Sequence, residues 1–291
     1  MSSCNNRVVV ITGAGGGLGR AYALAFAAEG AKVVVNDINR DAAEAVVAQI
    51  REQDGQAIAN SNDITHYEDA GRIVAAALEA FGGLDVVVNN AGICRDRMFA
   101  SLTEADWDAV VAVHLKGHFC LSSHAVRYWR EQAKNGVKVD ARIINTSSGA
   151  GLQGSIGQSN YAAAKGGIAS LTLVQAAELA RYGITVNALA PAARTGMTEG
   201  VFGEVMKKPE EGFDYFAPEN VAPVVVWLGS SESAGVTGQM FEVEGGKLSI
   251  ADGWRRGPQV DNQARWAVAQ VGAAVGELLE RAVPAQKVYG S

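Results

Sequence analysis

A tyrosine and a lysine four residues apart are the first candidates for catalysis in this sequence of 291 residues. Tyr161 and Lys165 would share one face of a helix. A free phenol has a pKa of about 10, and a neighbouring ammonium favours the phenolate. Ser148 follows a predicted strand and could hydrogen-bond a substrate oxygen. The Tyr-Lys spacing alone is a frequent coincidence, but with Ser148 it predicts proton transfer to or from a substrate oxygen.

A glycine-rich turn near the N-terminus predicts a dinucleotide site. The first predicted strand is followed by Gly13-Ala14-Gly15-Gly16-Gly17-Leu18-Gly19, which begins a helix. A pyrophosphate requires close approach to the backbone and free amides at a helix N-terminus. The spacing departs from the commoner dinucleotide motif, because Leu18 stands where the last glycine is expected. The candidate cofactor residues in this turn are Gly13, Gly17, Leu18 and Gly19.

Residues after the next three predicted strands complete the predicted cofactor site. Asp37 ends the second strand, where a carboxylate accepts ribose hydroxyls and would repel a 2′-phosphate, so we expect NAD as the cofactor. A solvated loop aspartate is the alternative. Asp63 follows the third strand, with Ile64 beside it, and could receive the adenine amino group. The fourth strand is followed by the last candidates of this group, Asn90, Ala91 and Gly92.

Short apolar runs alternate with helical patterns along the chain. The predicted strands are Val8–Ile11, Lys32–Val35, Gln56–Asn60, Leu84–Val88, Arg142–Asn145, Thr185–Leu189 and, as the last one, Met240–Val243. The predicted helices are Arg20–Glu29, Asp41–Gln53, Tyr67–Phe81, Glu104–Trp129 (one or two helices) and Asn160–Arg181. Strands that are apolar on both faces and separated by helices indicate a covered parallel sheet. We expect one α/β domain with a doubly wound parallel sheet, a Rossmann fold, over residues 1–248. A C-terminal extension, 249–291, contains the amphipathic stretch Asn262–Arg281.

These motifs, in this order, resemble the short-chain dehydrogenase/reductase family from about Arg7 to Gly246. Within it, the chain is similar to the (3R)-hydroxyacyl-CoA dehydrogenase domains of peroxisomal multifunctional enzymes. The matching stretches are Gly13–Phe26, Val33–Asp37, Asn89–Asp96, Val113–Gly117, Thr146–Ser148, Gly157–Lys165 and Ala217–Leu228.

The resemblance implies a role for each catalytic candidate. Tyr161 is expected to be the acid/base, Ser148 the donor to the carbonyl oxygen, and Lys165 the group that holds the nicotinamide ribose. The resemblance further implies cofactor contacts from Pro191 and Thr195. It also implies a homotetramer, assembled through the helices that contain Trp107–Trp129 and Asn160–Arg181.

Two positions depart from the usual family pattern. His114 stands where most members have a catalytic Asn, and the multifunctional enzymes look similar here, so we expect a modified water relay with His114 in the site. Ala192 replaces the usual Gly after Pro191. His114, His118 and His124 share a helical segment, but the third lies ten residues after the first and turns about 80° away from it, so we assign no metal.

Composition excludes several classes of partner. The formal net charge is −6 without a block of Lys or Arg, which argues against nucleic acid. No apolar run reaches the ~20 residues that cross a bilayer. The cysteines Cys4, Cys94 and Cys120 are odd in number and widely spaced, as reduced thiols are. We expect a soluble, cytoplasmic protein whose partner is a small hydroxy or keto compound.

Two classes of function remain open. The first is an NAD-dependent dehydrogenase of secondary alcohols, acting on 3-hydroxyacyl-CoA or, as the alternative, on a hydroxysteroid of the 17β type. Either substrate would suit the apolar residues of Val201–Phe216. Lys207 and Lys208 could meet the phosphates of coenzyme A, although a solvated loop is the simpler interpretation. The second class is a non-catalytic dinucleotide sensor, which would be expected to lose Tyr161 or Lys165. We also expect the tail to cross the substrate mouth of a neighbouring subunit.

Overall fold

A single eight-stranded sheet forms the centre of the computed structural model, which describes residues 3–196, 205–253, 255–284 and 286–291. The strand order is β3-β2-β1-β4-β5-β6-β7-β8. Every pair is parallel except the last, which is antiparallel. The strands are β1 (Val8–Thr12), β2 (Lys32–Asn36), β3 (Gln56–Asn60), β4 (Val86–Asn89), β5 (Ala141–Thr146), β6 (Ile184–Ala192), β7 (Met240–Glu244) and β8 (Lys247–Ile250). The predicted Rossmann fold is confirmed.

Helices cover both faces of the sheet because β-strand side chains alternate between the two faces. On one face, Val9 and Ile11 of β1 pack with helices α1, α2 and α8. On the other face, Val8 and Val10 pack with α3, α5 and α7. The helices are α1 (Gly17–Ala28), α2 (Arg40–Glu52), α3 (Tyr67–Phe81), α4 (Glu104–Val111), α5 (Gly117–Lys134), α6 (Gly149–Gln153), α7 (Ser159–Leu179), α8 (Ala222–Gly229) and α9 (Val268–Arg281).

The strand order reverses at β1, which lies between β2 and β4. At such a reversal the connections leave in opposite directions and open a crevice at the carboxyl ends of the strands. Gly13 follows β1, Asn90 follows β4 and Ser148 follows β5 by one residue. The fold therefore brings cofactor candidates and catalytic candidates to one edge of the sheet.

Two elements differ from the sequence prediction. The segment Glu104–Trp129 contains α4 and α5 joined by a π-helical turn, Ala112–Lys116. Strand β8 was not predicted, although Gly245 and Gly246 form the two-residue connection typical of a hairpin. All four residues of β8 are exposed, and the alternation of Lys247 and Ser249 with Leu248 and Ile250 is too short a pattern to have been recognised as a strand. This strand crosses the predicted boundary between residues 248 and 249, and the division there stays a prediction.

The C-terminal extension contains α9 and then returns to the body of the protein. Helix α9 begins six residues after the start of the predicted amphipathic stretch, and each of its residues is at least partly exposed. Beyond it, Tyr289 pairs with Ser155 of the same chain in a short parallel bridge. The end of the tail thus contacts its own chain, and the expectation that the tail crosses the substrate mouth of a neighbouring subunit stays a prediction.

Candidate active site

The three catalytic candidates meet between β5 and α7. Ser148 precedes α6 and accepts a hydrogen bond from the backbone amide of Ala150 at 3.2 Å, so its own hydroxyl proton remains available for a second partner. Tyr161 lies in the first turn of α7 and Lys165 one turn later. The Ser148 hydroxyl forms a hydrogen-bonding contact with Tyr161. The pair four residues apart therefore shares the helix face that Ser148 approaches.

Lys165 is the buried cation of the site. Its Nζ donates to the backbone oxygen of Thr146 at 2.6 Å and lies 5.5 Å from the centre of the Tyr161 ring. Burial lowers the pKa of Lys165 to about 7, because the charged ammonium loses hydration. A bound ligand that supplied a negative charge or additional hydrogen-bond acceptors to this ammonium would favour its charged form.

Burial also determines the protonation of Tyr161. It raises the pKa of this phenol to about 12, while the contact with Ser148 acts in the opposite direction. We expected the Lys165 ammonium to lower this pKa, and that expectation is wrong for the geometry observed. Loss of hydration outweighs the attraction, since Nζ lies over the ring and donates to Thr146. At neutral pH the Tyr161 hydroxyl carries its proton.

His114 lies in the π-helical turn and packs edge-to-face on Tyr161, with 5.1 Å between ring centres. Its Nε2 lies 3.0 Å from the backbone nitrogen of Ile93 and 2.8 Å from the Ile93 oxygen. Burial, followed by the charge of Lys165, lowers the pKa of His114 to about 3. A neutral imidazole thus fixes the chain after β4. Among the described residues, Ile93 is the only hydrogen-bonding partner of the His114 Nε2. We had expected His114 to position a water or a helix carbonyl near Lys165.

Cys94 is a site residue that sequence reasoning missed. Burial raises the pKa of its thiol to about 11, and its charge would interact with both Lys165 and Tyr161. It follows His114's partner Ile93 directly in the chain. The available signal in the sequence was its position two residues after the candidate Gly92. The three cysteines had been considered only by their number and spacing.

The turn after β1 is held by hydrogen bonds to the segment after β4. The Thr12 hydroxyl accepts from the backbone amides of Asn90 and Ala91, each at 3.0 Å. The Asn90 side chain donates to the backbone oxygens of Thr12 and Gly13 at 2.9 and 3.3 Å. Gly13 has a φ of +62°, and a Cβ there would lie 2.8 Å from the Ala91 Cα. Asn90, Ala91 and Gly13 thus form one backbone cradle.

The N-terminus of α1 is open towards this crevice. Gly16 caps it without a side-chain hydrogen bond, and the first turn contains no acidic residue among those described. A Cβ on Gly17 would lie 3.2 Å from the Thr195 Cγ2, which places Thr195 beside the turn. Pro191 lies at the end of β6 on the same edge, opposite Val243.

Four other candidates have packing contacts in this structure, and their contacts with a cofactor stay predictions. Leu18 packs against the core formed with α1 and α2. A Cβ on Gly19 would lie 2.2 Å from the Gly13 backbone oxygen, so glycine permits this close approach. Ile64 is buried and would lie 2.7 Å, at its Cδ1, from a Cβ on Gly117. Gly92 is confined in the same way by His114, whose Cε1 lies 2.4 Å from the position of a Cβ.

Two carboxylates border the predicted adenosine side. Asp37 accepts from the backbone amides of Gly15 and Asn39, both at 2.9 Å, so its charge is fixed beside the glycine-rich turn. Asp63 accepts from the Thr65 amide at 2.8 Å and pairs with His66 at 3.3 Å. Partial burial raises the pKa of Asp63, but these contacts outweigh it and the pKa lies below its usual value.

A dinucleotide fits this edge of the sheet. The Gly13 cradle leaves no Cβ between ligand and backbone, the open end of α1 offers amides to phosphates, and Asp37 offers acceptors to ribose hydroxyls. Lys165 and Tyr161 lie beyond the cradle, where the reactive end of such a ligand would have to reach. Over the described ranges, no group of three His, Cys, Asp or Glu could hold a metal ion.

The remaining candidates lie apart or outside the described residues. His118 accepts from the Thr146 amide at 3.3 Å, and His124 contacts the Tyr67 oxygen at 2.9 Å, so the three histidines have separate partners. Part of the expected apolar wall, residues 201–204, lies outside the described residues. Lys207 and Lys208 are exposed. Across the ranges that the structure covers, no helix combines the length and apolar character that a membrane span requires.

Comparison with known proteins gives several strong similarities. Hydroxyacyl-CoA dehydrogenase ChsB1 of Mycobacterium tuberculosis is 45% identical over 253 residues, covering 84% of this chain and 80% of that protein. Peroxisomal multifunctional enzyme type 2 of Mus musculus is 45% identical over 251 residues, but the match spans only 32% of that longer protein. A crystal structure of a short chain dehydrogenase from Mycobacterium avium superposes with a TM-score of 0.92 at 57% identity, covering 99% of this chain and 100% of that one.

The family model for short chain dehydrogenases matches residues 7–204, which include the glycine-rich turn, Ser148, Tyr161 and Lys165. This range also contains the cradle and Asp37. The chain therefore belongs to the short-chain dehydrogenase family of oxidoreductases.

Proposed function

We propose that this protein is an NAD-dependent dehydrogenase that exchanges a hydride between the nicotinamide and a secondary alcohol or ketone, with 3-hydroxyacyl-CoA as the substrate class. One observation carries the chemistry: Ser148, Tyr161 and Lys165 converge at the same sheet edge as the glycine cradle. A bound nicotinamide would supply or accept the hydride. The alternative of a non-catalytic sensor is disfavoured because the complete proton-transfer group is present.

Each catalytic side chain has a distinct role in this proposal. Ser148 donates a hydrogen bond to the substrate oxygen, because its hydroxyl only accepts from the Ala150 amide and keeps its own proton to donate. Tyr161 gives its proton to that oxygen in reduction and receives it back in oxidation. Lys165 is held by the Thr146 carbonyl and presents its remaining donors to the site. His114 keeps Ile93 and the Tyr161 ring in place.

The preference for NAD rests on Asp37. A 2′-phosphate close to this fixed carboxylate would bring like charges together, whereas ribose hydroxyls can donate to it. We expect Asp37→Ala to weaken NAD binding by roughly tenfold and to narrow the preference over NADP, as lost hydrogen bonds to a charged group do. Asp41→Ala removes an exposed carboxylate nearby and serves as the control. Equal catalytic efficiency of the unmodified enzyme with both cofactors would contradict the proposal.

The substrate class is supported by the relatives. A hydroxyacyl-CoA dehydrogenase is similar to this chain over most of its length. The decisive experiment offers a panel of 3-hydroxyacyl-CoA thioesters of different length and hand, together with hydroxysteroids and small alcohols, and follows nicotinamide absorbance with NAD. Turnover of steroids alone would replace the substrate class and leave the hydride chemistry standing. Binding of NAD without turnover of any compound would favour the sensor.

Assembly into a homotetramer is part of the same proposal. Phe119 of α5 and Leu173 and Val174 of α7 are each about half exposed, on the helices from which the resemblance implies assembly. Such apolar residues on neighbouring helices suit an interface between subunits. Sedimentation of the purified protein tests this expectation. The cytoplasmic location expected from the sequence stays a prediction.

A further inference from the structure

The last four residues of the chain, Val288–Ser291, lie against the loop that joins the two catalytic hydroxyls. We name residues 288–291 the C-terminal strap, and residues 149–158, which connect Ser148 to α7, the substrate loop. We propose that the strap positions the substrate loop and that Tyr289 is a specificity-determining residue for the group attached to the reacting carbon. This inference rests on the proposed function for the substrate class.

The strap is joined to the substrate loop by backbone pairing. The Ile156 amide donates to the Tyr289 oxygen at 3.0 Å, and the Tyr289 amide donates to the Gly154 oxygen at 3.2 Å. The Ser291 amide closes a turn on the Val288 oxygen at 3.1 Å. These bonds satisfy polar groups of the loop in the manner of an added strand. Contact is therefore built into the backbone and does not depend on side-chain packing alone.

Two glycines provide the space in which the strap lies. A Cβ on Gly149 would lie 2.7 Å from the Tyr289 hydroxyl, and a Cβ on Gly154 would lie 3.4 Å from Val288. The Tyr289 hydroxyl also has a hydrogen-bonding contact with the Gln153 side chain. Because Gly149 directly follows Ser148, the Tyr289 ring lies one residue from a catalytic hydroxyl.

The substrate loop has other contacts at both ends. Near Ser148, Gly151 packs on α7, where a Cβ would lie 2.6 Å from the Lys165 backbone carbon. The Arg97 amide donates to the Gly157 oxygen at 2.8 Å, and the Gln158 side chain donates to Asp96 at 2.8 Å. Helix α6 also borders a groove of about 740 Å³, whose lining includes Leu152 and Gln153. The middle of the loop, residues 152–156, therefore has the groove beside it and backbone bonds to the strap at Gly154 and Ile156. Removing the strap would free this middle segment of the loop.

Tyr289 is also accessible to a ligand. Its side chain is 47% exposed although it contacts the loop, so part of the ring faces outward. A substrate whose oxygen lies between Ser148 and Tyr161 must direct a substituent past the residues that follow Ser148. The first of these is Gly149, against which the Tyr289 ring packs. The acyl group of a 3-hydroxyacyl thioester would then meet this ring.

The test removes the strap from the full-length enzyme by placing a stop after Lys287. We expect KM for a long-chain 3-hydroxyacyl-CoA to rise roughly tenfold relative to a short-chain one, as the loss of two hydrogen bonds allows, with NAD binding unchanged. Tyr289→Ala should reproduce the shift and Tyr289→Phe should restore most of it. Val283→Ala, at a tail residue that is 91% exposed, is the matched control and should leave both constants unchanged.

A double-mutant cycle connects the effect to this contact. Gly149→Ala should shift the chain-length preference in the full-length enzyme and have much less effect after the strap is removed, because the Tyr289 ring is then absent. Additive effects, an unchanged preference after truncation, or a parallel loss of NAD binding would each overturn the inference.

A readout without substrate separates this inference from the proposed function. The Ile156 amide is bonded to the strap, so truncation should accelerate its hydrogen exchange together with neighbouring loop amides, while the amides of β5 remain protected. If no hydroxyacyl-CoA is turned over but this exchange accelerates, the substrate class fails and the positioning role stands. Unchanged exchange at Ile156 overturns the positioning role even when the enzyme is active.

Discussion

The cofactor side and the substrate side of the crevice are built in different ways. On the cofactor side, hydrogen bonds join Thr12 at the end of β1 to Asn90, which follows β4. Gly13 lies so close to Ala91 that a Cβ would not fit between them. On the substrate side, a mostly half-buried loop pairs with a strap from the C-terminal end of the chain. The first construction leaves little freedom for side chains, and the second depends on residues that can change without disturbing the sheet.

This difference separates chemistry from specificity. The turn, Tyr161 and Lys165 are fixed by the strands and by α7, which family members share across many substrates. The loops beyond Ser148 and Pro191 are the places where a substrate class can be selected. Variants on the cofactor side should therefore alter rate or cofactor binding for every substrate. Variants on the substrate side should alter the ranking of substrates.

The largest effect is expected from Tyr161→Phe, which removes the proton carrier and retains the ring that packs on His114. Groups of this kind contribute about 10²–10⁴ in rate, and the loss should fall in this range or above it. Because the hydroxyl is not part of the glycine cradle, the dissociation constant of NAD should stay within twofold or so of the parent value. Near-normal turnover of the variant would contradict the assignment of Tyr161.

The pH dependence should differ between the two directions of the reaction. With a pKa of about 12, Tyr161 is protonated from pH 7 to 9 and ready to donate in ketone reduction. Alcohol oxidation requires the phenolate. While the pH is below the pKa, the phenolate fraction rises about tenfold with each unit of increase in pH. We expect kcat/KM for oxidation to rise about a hundredfold across this range, while reduction shows no such rise. The measurement is a pair of pH–rate profiles at saturating cofactor.

Lys165 provides a distinguishable signal in the same profiles. Burial lowers its pKa to about 7, and acceptors of a bound ribose would raise it, so an inflection at or above pH 7 that appears in both directions reports Lys165 and not Tyr161. Oxidation that is independent of pH from 7 to 9 would contradict the protonation state assigned to Tyr161.

A pair of glycine variants tests the rigidity of the cofactor side. Gly13→Ala places a Cβ 2.8 Å from the Ala91 backbone at a φ of +62°. We expect it to lower the free energy of unfolding by about 1–3 kcal/mol and to weaken NAD binding. Gly235→Ala, outside the cofactor crevice, is the control, because a Cβ there has no described atom within 4 Å and its φ lies outside the left-handed region. Thermal unfolding with and without NAD measures both effects, and equal behaviour of the two variants would break the comparison.

The sequence predicted the fold because strands β1 to β7 are apolar runs bounded by glycines and helices. The family resemblance implied that Thr195 contacts the cofactor, but its place beside Gly17, 178 positions earlier in the chain, became visible only in the structure. Strand β8 was missed because its alternation of polar and apolar residues spans only four positions, all of them exposed. The site of the strap could not be predicted, because the strap bonds to backbone atoms of Gly154 and Ile156, which no side-chain pattern marks.

The pKa values were the least predictable property of the site. Spacing along a helix shows that Lys165 can approach Tyr161, but it does not show which group accepts a hydrogen bond from the ammonium. In the structure the Thr146 carbonyl does so, and burial then determines the charge state of both side chains. Protonation depends on solvent access, which is a property of the assembled layers and not of a motif.

The smallest effect is expected at His114, which links the two sides. Its Nε2 contacts Ile93 after β4, and its ring packs on Tyr161. His114→Ala should reduce kcat several-fold, because both contacts are lost while the proton carrier remains. His114→Asn should restore part of the rate if its shorter amide reaches the Ile93 backbone. Because the pKa of His114 is about 3, its imidazole is neutral near pH 6. We therefore expect no inflection near pH 6 in the profile of the parent enzyme or of either variant. A parent inflection near pH 6 that both variants remove would show that His114 titrates during turnover, and unchanged kinetics in both variants would leave it a packing residue only.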